Sequence, residues 1–475
     1  MVIFHFVSIF QVTEISILPS SRNTPNLTIL HLEGTLEIVQ GIFSYKSINK
    51  LDVTKTHSAV SKFVKLQCEH ELTSASGQKL LHYSSTQQFD VIITEACMGE
   101  CLYGFIHKFG SPPVIAISSL ATVPWMASAL GAASNPSYMP YSLLEYSSRM
   151  NFKERLINFL VFTFASFSYN FNVISVQESI ARKHFKEDLP SFNEIQKNIS
   201  LYLTNTIQGL DFPRPLTPNV VPVGGMHLTS KTNPLPASLQ KFLDEAKDGV
   251  ILFCLGTWIR SDLLKEKVQV FLDAFSELSQ RVLWKLDTER LPGQPPNVLV
   301  SKWLPQSDIL AHPNVRLFIT HCGRMSMIET VYRGVPVVGV PLFADQFSVL
   351  TILQSRGAAV GLDYPTLTKE SILVAVREVL NNESYKINMK QLSKLVKDQP
   401  DDPLDRAVFW TEYVIRHKGA EHLRPASTDL YWHQYLLLDV LMVLTVGLLM
   451  VVMLTYLTVK RIYRILKSLA KAKTD

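Results

Sequence analysis

Short runs of β-branched and other apolar residues alternate along the chain with stretches whose apolar positions recur at helical spacing. The runs fall into two series. The first comprises residues 89–94, 114–117, 173–176, 199–204 and 220–223; the second comprises 250–255, 282–285, 298–300, 317–320 and 335–340. Buried strands separated by crossover helices produce such alternation, which predicts parallel sheets flanked by helices, an α/β architecture. Between the series, residues 224–236 are rich in Gly, Thr, Ser and Pro and carry no apolar period, which marks a domain boundary. Helical periods follow at 369–381, 385–397 and 403–417, the last with Leu404, Ala407, Val408 and Val414 on its apolar positions.

Residues 440–457 form an uninterrupted run of 18 residues without a charge, about the length that spans a hydrocarbon core as a helix. Tyr431, Trp432 and Tyr435 precede it as interfacial aromatics do, and Lys460, Arg461, Arg464 and Lys467 follow. The pattern predicts a single-pass anchor with its tail in the cytosol and everything before Leu436 lumenal or external. The final Lys471-Ala472-Lys473-Thr474-Asp475 resembles a dilysine retrieval signal of endoplasmic reticulum membrane proteins. Sequons at Asn26, Asn198 and Asn382 suit a lumenal body.

At 475 residues, 47% hydrophobic and 18% charged, the chain is too long for one ordinary core and reads as two domains with additions. The net charge of +5 sits largely at the end of the chain rather than on a helix face, which argues against nucleic-acid binding. The five cysteines, Cys68, Cys97, Cys101, Cys254 and Cys322, show neither disulfide-framework density nor a zinc spacing and read as small buried hydrophobes.

The chemistry concentrates between Trp303 and Gln346. A buried strand ends at Thr320, and His321 and Gly323 occupy the turn before a helix expected to start near Ser326. Free amides at a helix start favour an anion, and a glycine lets a phosphate approach the backbone, so a pyrophosphate fits there. Glu329, one turn further on, can accept hydrogen bonds from two vicinal ribose hydroxyls. Trp303 offers a flat face for a base, the Gln306 amide can pair with a base edge, and Asp345 and Gln346 can hold sugar hydroxyls. No carboxylate cluster suggests a metal, and no G-x-G-x-x-G follows a strand, which leaves a Rossmann oxidoreductase little support.

In this order, over about 44 residues, Trp303-Leu304-Pro305-Gln306, His312, His321-Cys322-Gly323, Ser326, Glu329, Gly334-Val335-Pro336 and Asp345-Gln346 resemble the signature of the UDP-glycosyltransferase family. The similarity extends to Gly256, Thr257 and Arg260, to Trp284-Lys285, Asn135-Pro136, Gly224-Gly225 and residues 403–407, and so covers nearly the whole chain from Asn26 onward. The resemblance implies a GT-B fold, two Rossmann-like domains facing across a cleft, plus the C-terminal transmembrane helix. The expected divisions are 1–230 for acceptor binding, 237–400 for the UDP-sugar, 401–435 for a helix and pre-membrane segment, 436–459 for the span and 460–475 for the basic tail. The donor residues it implies are Gly256, Thr257, Arg260, Trp303, Gln306, His321, Gly323, Ser326, Glu329, Asp345 and Gln346. No cofactor is implied, because the UDP-sugar is a co-substrate.

The implied reaction is an inverting, metal-free transfer of a hexosyl group, glucose or glucuronic acid, to a hydroxyl of a small lipophilic acceptor at the endoplasmic reticulum membrane. Homo- and hetero-oligomers are both compatible with it. A histidine oriented by an acid would deprotonate the acceptor. Glu95, at the end of the 89–94 run, matches the orienting acid. The general-base histidine is not located: His5 is too close to the strand expected at 14–18 to leave room for the intervening helix, and residues 25–28 read as the loop after that strand. Residues 1–10 lack the basic region and cleavage site of a signal peptide. The competing reading, motivated by the missing base, is a non-catalytic membrane protein that binds nucleotide sugar. Arg324-Met325 departs from the smaller or amide residues that many relatives carry there, leaving the choice of sugar open.

Overall fold

The central strands of the two larger sheets are buried on both faces, as expected where helices cover a parallel sheet on two sides. The computed structural model describes residues 11–16, 26–35, 37–38, 53–185, 188–256 and 266–471, so His5, Thr257 and Arg260 lie outside the described residues. Two compact units emerge, Met1–Arg424 and Pro425–Asp475.

Among the described residues, the first unit holds three sheets, all parallel. Strands β1 (Val12–Ser16) and β2 (Leu27–His31) pair with each other. Residues 27 and 28 therefore begin a strand rather than a loop. A four-stranded sheet runs β3 (Ile92–Glu95), β4 (Val114–Ile117), β5 (Leu201–Thr204) and β6 (Val220–Pro222), in chain order. The third sheet contains β7 (Val250–Cys254), β8 (Arg281–Lys285), β9 (Val298–Ser301), β10 (Val315–Thr320), β11 (Val337–Gly339) and β12 (Ala359–Gly361), in the order β12-β11-β10-β7-β8-β9. The chain thus reverses its direction of travel between β7 and β10, and a crevice opens at the carboxyl ends of strands at such a switch point. Phe253 of β7 anchors the core beneath, its ring 4.7 Å from that of the fully buried Trp284 and 4.6 Å from Phe271.

The run at 173–176, expected as a strand, is helical: a π turn at Tyr169–Ile174 leads into a helix at Ser175–His184. Val173, Ile174, Gln177, Ile180 and Ala181 are the buried positions, a helical stripe that a four-residue apolar run does not disclose. The cysteine expectation also divides. Cys254 and Cys322 are free and buried and Cys97 is free, but Cys68 and Cys101 form a disulfide, with Cα atoms 5.5 Å apart. Packing against the Ser175–His184 helix brings the two cysteines together across 33 residues, which spacing could not reveal.

The helix at Pro403–Arg416 starts at an Asp402 cap with proline at its first position. It returns to the first series, burying Ala407, Val408 and Val414 against Ile115, Leu201 and Leu203. In the second unit, the helix at Leu438–Lys471 exposes its apolar side chains throughout, and its residues 438–469 are long and apolar enough to cross a membrane.

Candidate functional site

β7 and β10 are neighbours, with Cys254 opposite Thr320, so the turns that follow them meet at the crevice. After β10 the chain passes through His321, Cys322 in the left-handed region (φ 63°) and Gly323, and enters α1 (Arg324–Arg333). This helix starts two residues earlier than expected, with Gly323 as its N-cap. No side chain caps it, so its first amides point into the crevice, where an anion is favoured.

The His321 ring fills the space between two glycines. A Cβ on Gly323 would lie 2.4 Å from Nε2, and one on Gly256 would lie 2.7 Å from it. Gly256, at φ +92°, adopts a backbone that other residues rarely take. Burial, aided by the charge of Lys285, lowers the His321 imidazole to about 4, so the ring is neutral at physiological pH and acts as a hydrogen-bonding group. Lys285 Nζ donates to the Gly256 carbonyl at 3.3 Å. This cation beside the expected phosphate position was legible only as part of the family resemblance.

One turn into α1 a second cluster forms. Gln306, the first residue of α2 (Gln306–Leu310, preceding α1 in the chain), donates from Nε2 to Ser326 Oγ at 3.1 Å and to Glu329 Oε2 at 2.7 Å. Burial raises the Glu329 carboxyl, and the bond from Gln306 opposes that shift. His227, which sequence reasoning missed, brings Nε2 to 3.8 Å from Glu329 Oε1. Burial lowers its imidazole to about 4, and Nε2 has no hydrogen-bond partner. The only signal for it was its place just after Gly224-Gly225. Trp303, three residues before Gln306, is 76% exposed, so its indole face is open to stacking.

Asp345 and Gln346 follow β11, but they differ in availability. Gln346 Oε1 accepts from the amides of Leu342 at 2.8 Å and Phe343 at 3.1 Å, so its carbonyl braces the loop instead of facing a ligand. Asp345 keeps one buried carboxylate oxygen without a partner, and burial raises its carboxyl to about 6. Opposite, in the first series, Glu95 closes β3. Glu95 is exposed by surface area, yet the surrounding protein raises its carboxyl to about 7 against the opposing bond of the Ser119 amide. Burial, together with the carboxylates of Glu100, Glu95 and Asp345, pushes the Cys97 thiol well up. Glu95 and Asp345, from the two series, therefore both act electrostatically on this thiol.

Arg324 turns away from the crevice. Its guanidinium, 3% exposed, forms a bidentate pair with Asp211 and donates to the Asn205 carbonyl at 2.8 and 3.1 Å, tying the start of α1 to the segment after β5.

A family model described as "UDP-glucoronosyl and UDP-glucosyl transferase" matches residues 30–474. UDP-glucosyltransferase 2 of Dactylopius coccus is 39% identical over 442 residues, covering 92% of this chain and 84% of that protein. UDP-glucuronosyltransferase 2B7 of Homo sapiens is 36% identical over 370 residues, covering 77% and 69%. Among solved structures, the glycosyltransferase VinC in complex with DTDP aligns with a TM-score of 0.55 at 16% identity, covering 82% of this chain and 88% of that one.

Proposed function

Given that this chain belongs to the UDP-glucuronosyl and UDP-glucosyl transferase family and carries its GT-B fold, we propose which of its residues carry out sugar transfer from a UDP donor and where. The chain is a UDP-dependent glycosyltransferase, and relatives named as transferases favour this over the non-catalytic reading. The observation that carries the assignment is the Gln306–Ser326–Glu329 cluster one turn above an uncapped helix start. The pyrophosphate lies on the first amides of α1, with the neutral His321 as a further donor. The Glu329 carboxylate accepts from the ribose hydroxyls, the base stacks on Trp303, and Asp345 faces the hexose. The acceptor hydroxyl, relieved of its proton by a general base that Glu95 orients, attacks the anomeric carbon with inversion. The bond to the diphosphate breaks, and the helix amides take up the charge on departing UDP. The histidine base is not found among the described residues.

The acceptor is a small lipophilic alcohol or phenol. The body faces the endoplasmic reticulum lumen, anchored by the Leu438–Lys471 helix with Lys460, Arg461, Arg464 and Lys467 toward the cytosol. The Cys68–Cys101 disulfide supports an oxidising compartment for the body.

Glu329→Ala tests the donor site by calorimetric titration with UDP. Losing a charge-assisted hydrogen-bond acceptor is expected to cost about 1.5–3 kcal/mol, roughly 10- to 150-fold in Kd. Unchanged UDP affinity in a variant of native melting temperature would remove Glu329 from the site.

A further inference from the structure

The segment that joins the two series turns as soon as it leaves β6. The Met226 amide donates to the Val223 carbonyl at 3.1 Å and the Leu228 amide to that of Gly225 at 2.8 Å, two successive turns that enclose His227. Glycines let these turns seat closely. A Cβ on Gly224 would lie 2.4 Å from Ile207 Cγ1, and one on Gly225 would lie 3.9 Å from Ile328 of α1. Leu228 is buried in one apolar cluster with Met327, Ile328 and Val331. The joining segment therefore packs on α1 and delivers the His227 ring to Glu329, the residue after Ile328.

The two side chains meet without bonding. Glu329 accepts from Gln306 through Oε2 at 2.7 Å, while its Oε1 faces His227 Nε2 at 3.8 Å, too long for a direct hydrogen bond. An ion pair is not formed either, because burial leaves the His227 ring neutral at physiological pH. Nε2 is shut off from water and has no partner, a state that buried polar atoms rarely keep. The side chains are still 21% and 17% exposed, so neither is sealed from a ligand. A hydroxyl placed between them, about 2.8 Å from each atom, donates to Oε1 and accepts from Nε2–H, the tautomer that a neighbouring carboxylate favours.

We infer that His227 is a second ribose-binding residue, which holds one sugar hydroxyl of the nucleotide against Glu329 and makes the site selective for ribonucleoside over deoxyribonucleoside diphosphates. The inference rests on the proposed donor site, in which Glu329 accepts from the ribose. Only a group that gives and takes a hydrogen bond at once suits both atoms. An ammonium has no acceptor for Nε2–H, and a phosphate or carboxylate oxygen has no proton to give Glu329. A site built to bond a hydroxyl rejects the analogue that lacks it, because its own polar groups are then left unpaired. The nucleotide is thereby held by chain outside the donor sheet, in the segment between the two series.

The test measures Kd for UDP, 2′-deoxy-UDP and 3′-deoxy-UDP by calorimetry on the full chain in detergent, as wild type and as His227→Ala. The substitution is expected to weaken UDP by roughly 3- to 10-fold, the loss of one neutral hydrogen bond. For the analogue whose missing hydroxyl belongs between the two side chains, wild type and variant are expected to bind alike. No loss for UDP, or an equal loss for UDP and both analogues, would overturn the inference. If His227→Ala lowers the melting temperature, His227→Phe, which keeps a ring without the N–H, carries the same expectations. Failure of the donor reading shows separately: Glu329→Ala that binds UDP as the wild type does sinks both, whereas weakened binding in Glu329→Ala with none in the His227 variants sinks this inference alone.

Discussion

At Gly323 the backbone is ordinary for any residue, φ −62° and ψ 141°, so what forbids a side chain there is the His321 ring and nothing intrinsic to the chain. Gly323→Ala is therefore expected to leave the melting temperature nearly unchanged while the ring moves or the added methyl crowds the pyrophosphate. UDP affinity should fall by roughly tenfold or more, about 1.4 kcal/mol, measured by calorimetry. A variant that binds UDP normally would show that the phosphate does not approach Gly323. The same scale explains which candidate site residues the sequence could propose. Ser326 and Glu329 lie at a fixed offset on one helix, whereas the bonds from Gln306 to them span 20 and 23 residues and need the fold to close. Gln346 shows the opposite: its type suits a sugar hydroxyl, but its carbonyl oxygen is taken by the Leu342 and Phe343 amides.

The start of α1 is held from two sides, by the apolar contacts of Met327, Ile328 and Val331 with Ile207 and Leu210, and by the Arg324–Asp211 pair. Breaking a buried pair leaves one charge without a partner, which costs more than removing both. Arg324→Leu is expected to destabilise the chain by about 3–5 kcal/mol, and Arg324→Leu with Asp211→Leu to recover most of that loss in thermal melts. If the double variant is no better than the single one, the pair is not the source of the effect. The Arg324 side chain at this departure thus contributes to holding the two series together. The misread run at 173–176 belongs to this scale too. Four apolar residues serve a strand or a helix equally, and only the neighbours that bury Gln177 and Ile180 settle the period.

For the whole molecule, the Cys68–Cys101 bridge closes a 33-residue separation between the long Val53–Thr73 helix and the turn after β3. Replacing both cysteines by alanine is expected to lower stability by about 2–4 kcal/mol, read as a drop in melting temperature, with dithiothreitol giving the same drop in the wild type and none in the variant. What the sequence determined by itself was the alternation of strands and helices and the apolar C-terminal helix, because each depends on side-chain periodicity. What only the tertiary structure decided were the switch point between β7 and β10, the bridge, the Arg324–Asp211 pair 113 residues apart and the approach of His227 to Glu329. Each of these depends on which surfaces meet once the helices close over the sheets, a choice made by the burial of the whole core that no local pattern records.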